Sequence, residues 1–535
     1  KTVVRYVGMG KNIGTRQLFH LGFRITIIME SFTRRCRNLM PCQRTFPRNV
    51  QHKRRVASVT SVLLICFSVS GCFPPVDKQY VPIMPGGIQV DGNDSQVWMD
   101  ALLAQGLDAI QMTIYARQQA WNSPDLIFHE NGDGLIANIR MAKDAGLSVT
   151  LVLRVALEHG DISNRHHWHG TIWPEEEDIG KWFRNYGEFA LWAAGIASSE
   201  NVDLLVIGSE LNSLTSTVAV EKLPELYRYF LSPERTSSVR ESLVRCAAEI
   251  PAEDIGPDLQ FPDGGNYGTL DEYLRAQEFS DRAWTQYVTG ASKMDSVNID
   301  HLNNRRATYE RYWRELIVNI RDVYAGPISY AANFDQFQEV GFWDVLDAVG
   351  VNAYFPLSLR GQAGQRLEEA MTASWLRVTS QLNDLATHSG GPGGVLPVMF
   401  FELGWTSKAA STVRPFSYQR VEVLETVPPS GPSAAPVLTC VHWATAPEDP
   451  FERVRALEAL VRVVEQGAFP TLRGFTLWKL TTNPKHRNLE PFAVVIPSDS
   501  GPISDNDEID IADRAYLHSA ARLAELLRLS ASAGR

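Results

Sequence analysis

Residues 202–211 read VDLLVIGSEL, and the assignment of this stretch decides the fold. Leu204, Leu205, Val206 and Ile207 form an unbroken apolar run between an aspartate and a glycine. A run this short and continuous predicts a strand buried on both faces, the kind found in parallel sheets covered by helices. A carboxylate, Glu210, follows the strand after Gly208 and Ser209.

The same alternation extends outward in both directions. Upstream, 178–198 reads as a long amphipathic helix, SVTLVLRV (148–155) as a strand, 134–146 as a helix stopped by Gly146, DAIQMTIY (108–115) as a strand, and GIQV (87–90) as the first strand before a helix through Leu103. Downstream, Tyr309, Trp313, Leu316, Ile317 and Ile320 share one face of a helix over 305–324. Strands at 327–333, 348–354, 396–402 and 474–480 follow, with helices near 365–387, 451–467 and 509–529. Eight strands, most with a helix behind them, predict an α/β fold, a (β/α)8 TIM barrel over 87–530. The surplus length lies at about 215–304 after strand 4 and 403–450 after strand 7, the ends where a barrel carries its active-site loops. An open doubly wound sheet would ordinarily offer a glycine-rich phosphate turn after its first strand, and none is present.

Composition narrows the class. The chain of 535 residues is 44% hydrophobic and 21% charged, in the globular range. Residues 1–71 hold thirteen Lys and Arg against one acid, Glu30, leaving 38 basic and 60 acidic residues beyond them, a formal charge of −22. Such an acidic body is a poor nucleic-acid binder. KRR (53–55) followed by fourteen mostly apolar residues (56–69) and SGC has the order of a secretory signal, too short to span a bilayer comfortably. VSGC (69–72) resembles the bacterial lipoprotein signal, which implies cleavage before Cys72 and its acylation, with 72–86 as a Pro-rich tether. Met40 is the expected start. The expected location is then the cell envelope, on a lipid anchor. Cys246 and Cys440 remain for the body, where a disulfide is possible and not required.

Glu210 ends strand 4, and Glu402, in FFELGWTS (400–407), ends strand 7. In a closed barrel both ends open on one mouth. Two carboxylates so placed are the minimum equipment for cleaving a glycosidic bond: one protonates the leaving oxygen and the other attacks the anomeric carbon or activates water. Arg154, at the end of strand 3, would carry a fixed charge into the same mouth, and Asn333 and Tyr115 end strands 5 and 2. Trp168 and Trp405 lie on loops of that face and could be sugar platforms or packing.

WHGTIWP (168–174), residues 182–211, YAANFD (330–335), GVNAYFPL (350–357), FFELGWTS and GFTLWKL (474–480) together resemble glycoside hydrolase clan A, in particular the family 113 β-mannanases and the TIM-barrel-like domains of gene transfer agents. The resemblance implies Glu210 as acid/base and Glu402 as nucleophile of a retaining enzyme, with an oligosaccharide or polysaccharide substrate and no cofactor. The carboxyls would lie about 5–5.5 Å apart, Glu402 ionised and Glu210 with a raised pKa. It also implies that Tyr354, two residues past Asn352, donates to the nucleophile and that Trp478 stacks on the sugar. Asn352 joins the expected substrate-binding set. Two positions depart from the pattern: Ser209 stands where an Asn commonly precedes the acid/base, and His169 stands for the basic residue of a WRG-like element. RHHWH (165–169) lacks the spacing of a zinc motif, so no metal is expected there. The helical stretch 270–288 in the first insertion is expected to cap one end of the cleft. A barrel of this kind could also serve as a non-catalytic carbohydrate-binding or assembly lipoprotein.

Overall fold

The structure, a computed structural model, describes residues 78–158, 162–164, 166–216, 270–290, 298–359, 362–390, 394–413, 415, 424–426, 437–439, 447–488, 490–497 and 508–533. The signal region, Cys72 as lipid site, Cys246 and Cys440 lie outside the described residues.

Eight strands form the barrel: β1 (Met84–Gln89), β2 (Ala109–Gln118), β3 (Ser148–Leu157), β4 (Leu204–Ser209), β5 (Ile328–Asn333), β6 (Val349–Asn352), β7 (Val398–Leu403) and β8 (Leu472–Thr481). Each pairs in parallel with the next, and β8 returns to β1, so the sheet closes. Closure is narrowest at β1 and β2, where two register pairs, Gly86 to Ala109 and Gly87 to Ile110, join the strands. A Cβ on Gly86 would fall 2.0 Å from the Ala109 carbonyl oxygen, so glycine is required for this approach. The first strand begins three residues before its expected start. Pro85 has no N–H to give, but its carbonyl accepts from Asp108 N–H at 3.0 Å, and that is enough to hold it in the sheet. The expected tether is likewise docked from Lys78 onward: Gln79 N–H donates to Asp347 Oδ1 at 2.8 Å, and Val81 is buried.

Helices α1 (Ser95–Ala104), α2 (Asp133–Asp144) and α3 (Ile179–Ser199) follow the first three strands. After β4 come α4 (Leu270–Thr289), within the insertion, and α5 (Ile299–Arg321); α6 (Gln365–Ser389), α7 (Pro450–Glu465) and α8 (Glu508–Ala533) follow β6, β7 and β8. Helix α5 starts earlier than the apolar periodicity indicates because Asn298 caps it, its side chain accepting from His301 N–H at 3.0 Å. Between β5 and β6 two short 3-10 turns, Phe337–Glu339 and Trp343–Val345, stand in place of a helix. Part of the second insertion is an antiparallel pair, Leu424–Thr426 with Val437–Thr439.

The core has two layers. Between sheet and helices, Trp182, Tyr186, Trp313, Trp375 and their neighbours form the larger one. Inside the barrel, Met84, Ala109, Val152, Leu204, Val206, Ala331, Met399 and Phe401 form a separate apolar plug. Strand side chains alternate between the layers with a period of two, so Val152 on the lumen side puts Arg154 on that side as well.

Candidate active site

Above the plug the lumen turns polar, and local breaks in the strands make the change. Along β4, Val206 pairs with Ser329 and Ser209 with Ala331, so β4 contains one extra residue there. The bulge brings Ser209 Oγ within 3.1 Å of Arg154 Nη2 and 3.3 Å of Asn352 Nδ2. The next residue, Glu210, has φ 52°, the left-handed region that non-glycine residues seldom occupy. Its N–H still donates to the Ala331 carbonyl at 2.9 Å, while Leu211 N–H donates to Tyr330 Oη at 2.8 Å. Trp313 Nε1 on α5 donates to the Leu214 carbonyl at 2.9 Å, so both sides of the strained residue are fastened. Strand β7 uses the same device. Val351 pairs with Phe400 and Asn352 with Glu402, and the residue between them, Phe401, occupies the plug.

These breaks bring Glu210 and Glu402 to one place. Arg154 Nη2 hydrogen-bonds Glu402 Oε1 and lies 3.7 Å from Glu210 Oε2, so a single nitrogen touches both carboxyls. Tyr354 Oη donates to Glu402 Oε2 at 2.7 Å. His169 Nε2 lies 3.1 Å from Glu210 Oε2. The Arg154 guanidinium also sits 5.8 Å from the centre of the Trp478 ring. Both acids are buried.

Charge in this cluster is unevenly held. Two acids share one nearby guanidinium, and their titrations belong to the pair. Burial drives Glu210 upward, but the His169 hydrogen bond and the Arg154 charge outweigh it and bring it to about 2. Glu402 is pushed up, chiefly by burial and also by the Glu210 charge, against Arg154 and Tyr354. Burial lowers His169, and Arg154 adds to that effect, so the ring is mainly neutral near pH 7. This order is the reverse of a protonated Glu210 beside an ionised Glu402, and the His169 contact is a principal cause.

The other expected residues divide. Asn352 is buried beside Ser209 and hydrogen-bonds Glu210 as well. Its Oδ1 and the Arg154 Nε have no hydrogen-bond partner among the described residues. Asn333 lies level with Asn352 at the strand ends, with its own Oδ1 accepting from Phe334 N–H at 2.9 Å. Tyr115 is paired in register with Arg154 but half exposed. Trp168 packs edge-on against the His169 ring at 4.9 Å. Trp405 is buried among core residues, edge-on to Trp375 at 6.4 Å, which is packing rather than an open platform. Sequence reasoning missed two residues. His169 was noted only as standing for the basic residue of a WRG-like element and was given no role at the site. Lys479, whose Nζ lies 4.2 Å over the Trp478 ring and 2.9 Å from Glu490, had none.

A closed (β/α)8 barrel carrying two carboxyls at one mouth has the architecture of a barrel glycoside hydrolase. Glycoside Hydrolase Family 113 matches residues 89–220 and 292–427, and the chain belongs to that family. The GH113 β-mannanase AaManA from Alicyclobacillus acidocaldarius, in complex with ManMIm, is similar at 16% identity over 82% of this chain and 97% of its own, with a TM-score of 0.46. Another GH113 β-1,4-mannanase is similar at 15% identity over 82% and 99%, TM-score 0.46. A GH5_18 protein from Streptomyces cattleya in complex with GlcNAc is similar at 10% identity over 85% and 81%, TM-score 0.37. No curated protein matches the chain in sequence.

Proposed function

We propose that this glycoside hydrolase is a retaining β-glycosidase, most like an endo-β-1,4-mannanase, with Glu402 as nucleophile and Glu210 as acid/base. The observation that carries the reading is the single Arg154 nitrogen in contact with both carboxyls. A pair bridged in this way suits the ~5–5.5 Å separation of retaining enzymes rather than the ~6.5–9.5 Å that leaves room for an inverting water.

In the first half-reaction a Glu402 oxygen attacks the anomeric carbon, the bond to the leaving oxygen breaks, and Glu210 gives that oxygen its proton. In the second, Glu210 takes a proton from water, whose oxygen displaces the Glu402 carboxylate and frees the sugar. Tyr354 and Arg154 orient Glu402 for attack, and Trp478 offers a ring to the apolar face of the sugar. We place the enzyme in the cell envelope, secreted and held to a bacterial membrane by a lipid on Cys72, where its substrate is a β-linked polysaccharide or oligosaccharide.

The test is hydrolysis of β-linked manno-, gluco- and xylo-oligosaccharides by the protein beside Glu210→Gln and Glu402→Gln. Loss of several orders of magnitude in both variants, on one sugar, supports the assignment. A folded protein inert on every sugar, or variants that keep the rate, would overturn it. The charge order of the two acids favours one other reading, with the two roles exchanged. Trapping with a 2-deoxy-2-fluoro glycoside and mapping the labelled peptide separates them: a label on Glu402 supports the assignment, and one on Glu210 reverses it.

A further inference from the structure

The loop between β3 and α3 presses His169 against Glu210 and is itself held in place from two directions. Ser213 Oγ, three residues beyond Glu210, donates to the Gly170 carbonyl at 2.8 Å. From the insertion, Trp284 Nε1 on α4 donates to the Thr171 carbonyl at 3.0 Å, and Ser280 Oγ lies 3.2 Å from His167 Nε2. Trp168 closes the other face of the ring. The charged and titratable groups around His169 are Glu210 from β4 and Arg154 from β3, with Glu402 from β7 and Tyr354 from β6 beyond the guanidinium. His169 and Arg154 both approach the same Glu210 oxygen, Oε2.

We propose that His169 is the positioning residue of the acid/base: its Nε2–H donates to Glu210 Oε2 in both protonation states of the carboxyl and so reserves Oε1 for the proton that is exchanged with substrate and water. An Nε2–H donor can bond the carboxylate and the carbonyl oxygen of the acid alike, so the contact survives the whole cycle and no ring proton moves. The carboxyl is then fixed in rotation, and the exchanging proton has one oxygen on which to sit. This rests on the assignment of Glu210 as acid/base.

Four proteins separate the possibilities: the full chain and its His169→Ala, His169→Gln and Glu210→Gln variants. Each is assayed on a β-1,4-manno-oligosaccharide and on 2,4-dinitrophenyl β-mannoside, whose leaving group departs without protonation, across pH 4–9. His169→Ala should lose about 10–100-fold in kcat/KM on the oligosaccharide and little in kcat/KM on the aryl glycoside, because kcat/KM reports the first half-reaction and this leaving group needs no proton. Its basic limb should move to higher pH, because a donor to ionised Glu210 is gone. His169→Gln, which keeps an N–H donor, should recover part of both effects. Equal loss on the two substrates with an unmoved limb would mean a merely structural role and overturn the proposal. Glu210→Gln that leaves the oligosaccharide rate intact would instead overturn the acid/base reading beneath it. Independently of turnover, nitrogen-edited histidine spectra should show His169 protonated on Nε2, with a shift that changes in Glu210→Gln. A ring protonated only on Nδ1 overturns the proposal.

Discussion

The lower and upper halves of the barrel lumen are built on the same strands and have opposite chemistry. Below, Val152, Leu204, Val206, Met399 and Phe401 meet in an apolar plug. One to four residues further along, Arg154, Ser209, Glu210 and Glu402 form a buried polar cluster. The plug follows the regular alternation of a strand, whereas the cluster depends on departures from it, the extra residues in β4 and β7 and the left-handed backbone at Glu210. The regular half secures the barrel's shape, and the irregular half turns side chains out of their default directions toward one point.

The comparison breaks first at its polar end. Arg154→Met removes the one cation shared by two buried acids, so the carboxyls retain a proton to higher pH. We expect kcat to fall about 10²–10³-fold, with loss of the charge-assisted bond to Glu402. Melting temperature should fall much less than for a lone buried charge, because protonation neutralises the excess. Steady-state kinetics beside calorimetry checks both, and a large loss of stability with kcat retained would contradict it.

At the apolar end the expectation is inverted. Phe401→Ala opens a void in the plug and should cost about 3–5 kcal/mol of stability, read from denaturant midpoints. The fraction that remains folded should keep Glu402 in reach of Arg154 and Tyr354, with kcat within about tenfold of the parent. A collapse of kcat in folded protein would mean that the plug also sets the cluster's geometry.

The smallest effect belongs to the loop that joins the cluster to α4. Burial, with His166 adding, lowers His167 to about 4, below the ordinary histidine range. A histidine held neutral stabilises the fold fully above its unfolded value of about 6.5, and that contribution is lost as pH falls toward 4. Protection factors of the α4 amides, taken against the intrinsic exchange rate at each pH, should therefore fall between pH 6.5 and pH 4, and His167→Gln should flatten that dependence. An unchanged pH profile in the variant would remove His167 as the cause.

What could be read from the amino-acid order follows the same division. Continuous apolar runs such as 204–207 and 398–401 name strands because burial on both faces leaves no polar position. An acid directly after such a run stands out for the same reason. The bulges left no trace, since an extra residue in a strand changes pairing without changing composition. No helix was expected between strands 5 and 6, and none forms: two 3-10 turns lie there, with Phe337, Phe342 and Trp343 buried. His169 was visible as a departure from a motif, but only its distance from Glu210 gives it a use. For Trp405 the sequence left platform and packing open, and its burial beside Trp375 favours packing.

The backbone at Glu210 carries one more consequence. Glycine or asparagine would rest more easily at φ 52°, and removing this acid would leave Arg154 matched to Glu402 alone, one charge against one. Conformation and charge balance therefore both favour losing the side chain on which the proposed chemistry depends. In a lineage released from selection on hydrolysis, position 210 is where drift would find a stabilising change close at hand, and the first residue to disappear would be the proposed acid/base.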